Sequence, residues 1–488
     1  MTFSRRSLLT YVSALTLSPA LSRLAFSLPE ERAELGEGVS SRFTVPFRTP
    51  PVLSPVLSDR TSDYYEISEK EATTEILPGI KTRIWGYQGM FPGPTIEARC
   101  GREVIVRHTN LLPVQTVVHL HGGVTPSASD GFPMDFIQPG ESRTYTYPNN
   151  HRGATLWYHD HAMGDTGRNI YMGLAGLYLL KDDAEVSLGL PRGPYDVPLL
   201  IQDRLFGLDG AFIYNTLQNR GAKPGVILVN GVPYPRMEVA TRKYRFRILN
   251  GSNATPFRLG LSSGQSFVQI ATDGGLLSSP VSCRTIPIAM AERVEVVIDF
   301  SEYPIGTRIM LQNLTRRQPS ANGEIMCFDV VRKEVDDSIV PDRLSDIIPI
   351  PRGAAVRTRR FVFSGRLTFG IPPDNNWMIN DNGSDPECSI ANPGFGDVEI
   401  WHLRNDRFLG MLGMLHPIHV HSVNFQILER NGRAPFLWER GWKDTVALNP
   451  GEEVKVIMKF VGYRGRYLIH CHNLEHEEHS MMARYDVV

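Results

Sequence analysis

Short runs rich in β-branched and aromatic residues recur along this chain, each closed off by Gly, Pro or Asn. Val104-Ile105-Val106 is one; Tyr244-Arg245-Phe246-Arg247-Ile248, where apolar residues alternate with arginine, is another. A period of two predicts strands, and long amphipathic helical stretches are hard to find. An extended segment, a turn and an alternating strand ending in Asn occur three times. The copies are Gly101-Arg102-Glu103-Val104-Ile105-Val106 up to Asn110, Lys243-Tyr244-Arg245-Phe246-Arg247-Ile248 up to Asn250, and Asp397-Val398-Glu399-Ile400-Trp401 up to Asn405. A second pattern keeps step with the first: Pro139-Gly140-Glu141 leads to Tyr158-His159, Ala291-Glu292-Arg293 to Leu311-Gln312-Asn313, and Pro450-Gly451-Glu452 to Ile469-His470. Two patterns in one register predict an all-β chain made of three copies of one β-sandwich.

Length agrees, since 488 residues at roughly 150 per domain make about three domains. The expected limits are 58–187, 188–340 and 355–488, with linkers in Leu188 to Pro198 and Lys333 to Arg360. Residues 28–57 form a Pro-rich N-terminal segment. Ahead of it, Ser4-Arg5-Arg6-Ser7-Leu8-Leu9 and an apolar stretch to about Leu21 read as a twin-arginine signal over 1–27, which implies a periplasmic or secreted protein. That stretch is too short and too rich in Ser, Thr and Pro to span a bilayer well, so no membrane span is expected. With 51 basic against 52 acidic residues, the net charge gives no reason to expect a nucleic acid partner. Five cysteines leave at least one free, metal-bound or intermolecular in an oxidising compartment. Cys283 and Cys327 both fall in the middle domain, where a disulfide between them is one open arrangement.

Histidine carries the chemistry. Ten of the 14 histidines fall into four tight groups: His119 and His121; His159 and His161; His416, His419 and His421; and His470, His472 and His476. Between His161 and His402 there is none, so the first and third sandwiches are expected to hold the site and the middle one nothing. Residues two apart on a strand share a face, so each His-x-His pair offers two imidazoles to one side while Leu120 or Val420 points into a core. By the same alternation Cys471 faces away from His470 and His472, which places its thiolate on a different metal. A thiolate, two imidazoles and a weak axial thioether make a blue copper electron-transfer centre. His476 and Met481 follow Cys471 closely enough for one loop to supply three ligands, and His416 is the natural fourth. The eight remaining imidazoles are too many for one ion and suit a cluster of metals between the first and third domains. Zinc, being redox-silent, gives no reason for a thiolate between two cluster ligands. His108, His151, His402 and His479 lack metal-type spacing and read as structural or surface residues.

The four groups resemble the copper signatures of the multicopper oxidases, the family of laccases, bilirubin oxidases and cuprous oxidases. The stretches that carry the resemblance are His119-Leu120-His121-Gly122-Gly123, Trp157-Tyr158-His159-Asp160-His161, His416-Pro417-Ile418-His419-Val420-His421, and His470-Cys471-His472-Asn473-Leu474-Glu475-His476 followed by Met481. The resemblance implies three consecutive cupredoxin-like Greek-key β-sandwich domains and four copper ions: one type 1, one type 2 and two type 3. It implies type 1 copper on His416, Cys471, His476 and Met481, type 2 on His119 and His419, and the type 3 pair on His121, His159, His161, His421, His470 and His472. Dioxygen would be the electron acceptor and a small reducing substrate the donor, with the enzyme a monomer.

Trp157 to Met163 and Glu475 to Met482 most resemble the spore-coat laccase branch, where equivalent acids serve oxygen reduction. The expectation is that Asp130 orients the type 2 water and Glu477 delivers protons. Phenols, aromatic amines or bilirubin-like compounds are the leading substrates. The cuprous oxidases usually carry a Met-rich insertion, whereas Met378, Met411 and Met414 are scattered here. Non-enzymatic cupredoxin repeats lack the ligands this chain retains. Fungal bilirubin oxidases have Trp just before the third motif, where this chain has Met414.

Overall fold

The three strands that end in Asn sit between their neighbours in the same way. In the computed structural model, which describes residues 42–214, 225–315, 323–365, 377–380, 387–406 and 413–488, Glu103–Asn110 runs parallel to Ser62–Glu75 and antiparallel to Ser142–Tyr147. Lys243–Asn250 lies likewise between Asp196–Arg204 and Arg293–Asp299, and Val398–Asn405 between Arg357–Gly365 and Glu453–Lys459. The expected signal 1–27 and residues 28–41 of the Pro-rich segment lie outside the described residues.

Each closing asparagine makes the same corner. Its amide Nδ2 donates to two backbone carbonyls: Val114 and Ile137 from Asn110, Thr255 and Ile288 from Asn250, Met414 and Leu448 from Asn405, all at 2.7 to 3.1 Å. Its backbone carbonyl accepts from Gly140, Ala291 or Gly451, the turn residue of the second repeated pattern. That residue has φ of 85°, 66° or 77°, the left-handed region that favours glycine. Two copies use Gly; the middle copy holds Ala291 there.

Every copy closes into two packed sheets: five and four strands in the first sandwich, seven and five in the middle, five and four in the third. The two four-stranded sheets carry the histidine motifs. In the first, Val118–His121 pairs with Ala154–Asp160, and in the third His416–Val420 pairs with Gly465–Cys471. Leu120 and Val420 are buried in the cores of their sandwiches, as their place between two histidines requires. Strand Lys243–Asn250 is buried on both faces: Phe246 and Ile248 enter the middle core, while Arg245 and Arg247 meet Glu295, Asp196, Glu185 and Thr155 at the junction with the first sandwich.

The helices are short, Thr166–Met172 being the longest α-helix among the described residues, and no described helix is long and apolar enough to cross a membrane. Cys283 and Cys327 do not pair. They are buried free thiols on strands of different sheets, Gly275–Cys283 and Glu324–Arg332.

Candidate metal centre

The sheets bring eight imidazoles into one cleft. His119 lies opposite His159 in one strand pair and His419 opposite His470 in the other. Across the cleft His119 stacks on His421 and His121 on His419, with centroids 3.8 and 3.6 Å apart. Ring nitrogens of His161, His421 and His470 lie within 4.8 Å of one another, as do those of His119, His121 and His159 and those of His119, His419 and His421. His472 sits 5.0 Å from His121 and 5.2 Å from His159, centroid to centroid. All eight are buried.

Outward hydrogen bonds set which nitrogen faces inward. Nδ1–H donates to the Asp130 carbonyl from His119 (2.5 Å), to the Asp160 carbonyl from His159 (2.8 Å), to the Asp444 carbonyl from His419 (2.9 Å) and to Asp130 Oδ2 from His421 (2.8 Å). A neutral imidazole held this way turns the Nε2 lone pair inward. His121 is reversed: its Nε2 meets Asp444 Oδ1 at 3.2 Å and Thr445 Oγ1 at 3.1 Å, and Nδ1 faces in. The inward nitrogens of His119, His121, His159 and His419, and both nitrogens of His472, have no hydrogen-bond partner. Buried polar atoms left unpaired are costly, and so many converging lone pairs fit metal ions. Burial pushes His119, His121, His159, His421, His470 and His472 well down and His161 to about 4, which keeps these imidazoles in the neutral, ligating form at pH 7.

Cys471 faces the other way. Its side chain lies in the core of the third sandwich, with Sγ 3.4 Å from His416 Nδ1 and 3.6 Å from His476 Nδ1, and those two nitrogens are 3.0 Å apart. Met481 is buried in the same core; its N–H donates to the His476 carbonyl and its carbonyl accepts from Cys471 N–H. Burial raises the Cys471 thiol and lowers His416 to about 3, so a thiolate here calls for a cation beside it. The donor set of thiolate and two imidazoles fits copper.

Both expected carboxylates reach the cluster. Asp130 touches it twice, by its carbonyl to His119 and its carboxylate to His421. Glu477 Oε2 is 3.1 Å from His470 Nδ1 and Oε1 3.6 Å from His161 Nδ1, and burial pushes its carboxyl up to about 7. His108, His151, His402 and His479 bond or pair elsewhere, to Glu69, the Arg152 carbonyl, Glu453 and the Glu475 carbonyl.

Asp444 and Thr445 were not singled out in the sequence, because they stand far from every His-x-His motif. Strand pairing brings them in, with His419 opposite Thr445. Trp377 was missed for the same reason: its ring lies against His476, tilted by 33° with centroids 3.9 Å apart, and meets His416 edge-on at 5.4 Å.

Known proteins share this arrangement. Sequence profiles of the multicopper oxidase family match residues 69–185 and 364–488. A laccase of Bacillus subtilis (strain 168) is 37% identical over 90% of this chain and 97% of its own, and a bilirubin oxidase of Albifimbria verrucaria is 37% identical over 91% and 81%. Among solved structures, a laccase from Pediococcus acidilactici superposes with a TM-score of 0.84 at 30% identity, covering 92% of this chain and 95% of that one. On the shared fold, the full run of histidines and identity across nearly the whole length, the chain belongs to the multicopper oxidases, copper-dependent oxidoreductases that pass electrons from a reducing substrate to dioxygen.

Proposed function

We propose that the electron donors are small aromatic molecules, phenols, aromatic amines or bilirubin-like compounds, oxidised one electron at a time at His416, Cys471, His476 and Met481. The observation that carries this reading is Trp377. The ligands beneath it are buried, Cys471 and Met481 completely, whereas Trp377 is half-buried and lies against His476. A donor arriving there meets an indole face, a surface suited to planar aromatic rings. Gly365 makes room for it, since a Cβ there would come within 2.9 Å of the indole.

Bound copper supplies one-electron redox chemistry at each centre, and four such centres match the four electrons that dioxygen needs. The chain's own part is connection, orientation and proton supply. Cys471 is covalently joined to His470 and His472, so one strand end links the thiolate site to the cluster. On this reading His119 and His419 hold type 2 copper, His121, His159 and His472 one type 3 copper, and His161, His421 and His470 the other. Asp130 orients His421 and the type 2 water, while Glu477 holds a proton beside His161 and His470. All ligands come from one chain, which supports a monomer, and Arg5-Arg6 with the apolar stretch after it supports twin-arginine export to the periplasm or beyond.

The test is a visible spectrum of copper-loaded protein in air, with copper counted per chain and a phenol then added without oxygen. An intense blue band, four coppers and bleaching by the phenol are expected. No blue band at full loading would overturn the assignment of Cys471. Bleaching by cuprous ion alone would make the donor a metal ion instead.

A further inference from the structure

We infer that Arg293, from the sandwich that contributes no histidine, is a positioning residue of the metal cluster: acting through Asp444, it fixes the ring orientation of His121 and His419. The repeat shows how unusual this residue is. Arg293 follows Ala291-Glu292 where Ser142 follows Gly140-Glu141 and Glu453 follows Gly451-Glu452. Ser142 is exposed and Glu453 half-buried, but Arg293 is 0% exposed.

Its guanidinium has no free donor. Nη1 donates to Asp444 Oδ1 at 2.7 Å and to the Ala291 carbonyl at 3.1 Å; Nη2 to Asp444 Oδ2 at 2.5 Å and the Asp273 carbonyl at 3.2 Å; Nε to the Thr155 carbonyl at 2.9 Å. Five donors thus engage all three sandwiches at once, through Thr155 of the first, Ala291 and Asp273 of the middle and Asp444 of the third. Only a planar fork can do this; lysine offers a single point of charge. The guanidinium thus grips both carboxylate oxygens of Asp444 side by side, a two-point contact that fixes the carboxylate's plane. The carboxylate so fixed takes up His121 Nε2, the contact that turns His121 Nδ1 inward, and lies 3.5 Å from His419 Nδ1. Gly122 marks the same path from the other side. With φ of 86°, it follows His121, and a Cβ on it would lie 2.5 Å from Arg293 Nη2 and 2.8 Å from Asp444 Oδ2.

Other buried arginines at the domain junction, Arg245 and Arg247, make comparable ion pairs without reaching a carboxylate that touches an imidazole. They supply the control. The inference rests on His121 and His419 being cluster ligands. Copper-loaded wild type, Arg293→Lys, Asp444→Asn and Arg247→Lys are titrated with a chelator, following copper per chain, the blue band, and the paramagnetic resonance signals of type 1 and type 2 copper. Arg293→Lys and Asp444→Asn are expected to keep the blue band and type 1 signal while losing cluster copper at about 10- to 100-fold lower chelator. Arg247→Lys is expected to show no such selective loss. Cluster copper held as tightly as in wild type by both test variants would overturn the inference, as would loss of all coppers together. Should Arg293→Lys fail to fold, Asp444→Asn decides alone. Wild type that binds only the blue copper would instead sink the cluster assignment.

Discussion

Glu477→Gln separates proton delivery from electron transfer. Glutamine keeps the size of the side chain and removes the exchangeable proton. In the native protein the carboxyl is buried, neither oxygen has a hydrogen-bond partner, and its oxygens lie 3.1 Å from His470 Nδ1 and 3.6 Å from His161 Nδ1. Burial pushes it up to about 7, against the pull of His161, so near neutral pH it can both hold and release a proton. Copper bound to the neighbouring imidazoles would favour the carboxylate and so lower the pH at which the proton is lost. Below that pH it is charged with a proton; above it the store is empty. Turnover limited by this step therefore falls as pH rises through the native titration, and the variant lacks that limb. A positioned acid contributes about 100-fold or more, so oxygen uptake by Glu477→Gln is expected to drop by at least that factor, or ~2.7 kcal/mol of barrier. Anaerobic bleaching of the blue band by a phenol should keep its native rate, because Cys471 and its ligands are untouched. Full turnover with an unchanged pH profile would refute the reasoning; slowed bleaching would show that the substitution had disturbed the thiolate site instead.

Met481→Leu is expected to raise the type 1 potential in a redox titration while costing less than about 1.5 kcal/mol of stability, since the two side chains have similar volumes. An unchanged potential would count against ligation. Trp377→Leu removes a stacking face worth ~0.5–1.5 kcal/mol, so kcat/KM for a phenol should fall roughly 2- to 10-fold with the blue band intact; equal kinetics would remove Trp377 from the docking surface. Glu295→Ala leaves the buried guanidinium groups of Arg245 and Arg247 short of their shared partner, a loss of about 3–5 kcal/mol. The thermal midpoint should fall by roughly 10 °C, and a shift under about 2 °C would show that Asp196 and Glu185 suffice.

The fold and the convergence of the histidine groups were legible because both rest on local rules. A period of two told which residues share a face, so the inward direction of the His pairs and the opposite direction of Cys471 followed from spacing alone. The three Asn corners were legible because each repeats a turn whose backbone conformation restricts the residue placed there. What stayed hidden is held by pairing across long separations. Asp444 reaches His121 from a strand that no motif marks, and Trp377 reaches His476 across the third sandwich. Arg293 stands where the absence of histidine had suggested that no chemistry would be found. Cys283 and Cys327 share a domain but lie in different sheets, a distinction that residue spacing does not carry.

The strand Gly465–Cys471 shows why one segment can serve both sites. Its His470 side faces the cleft between sandwiches, where eight imidazoles converge and the carboxylates of Asp130, Asp444 and Glu477 reach His421, His121 and His470. Its Cys471 side faces the apolar core of the third sandwich, among Ile418, Val420 and Met481. A dry core keeps water from the thiolate, and a cleft built of three sandwiches can bring in carboxylates that a core could not hold unpaired. Adjacent residues on opposite faces thus occupy two different media, joined by one peptide unit. Reversing this by a one-residue slip of register would put the thiolate in the polar cleft and an imidazole in the core. The backbone bonds of Cys471 N–H to the Met481 carbonyl and of His472 N–H to the Pro417 carbonyl hold the register against that slip.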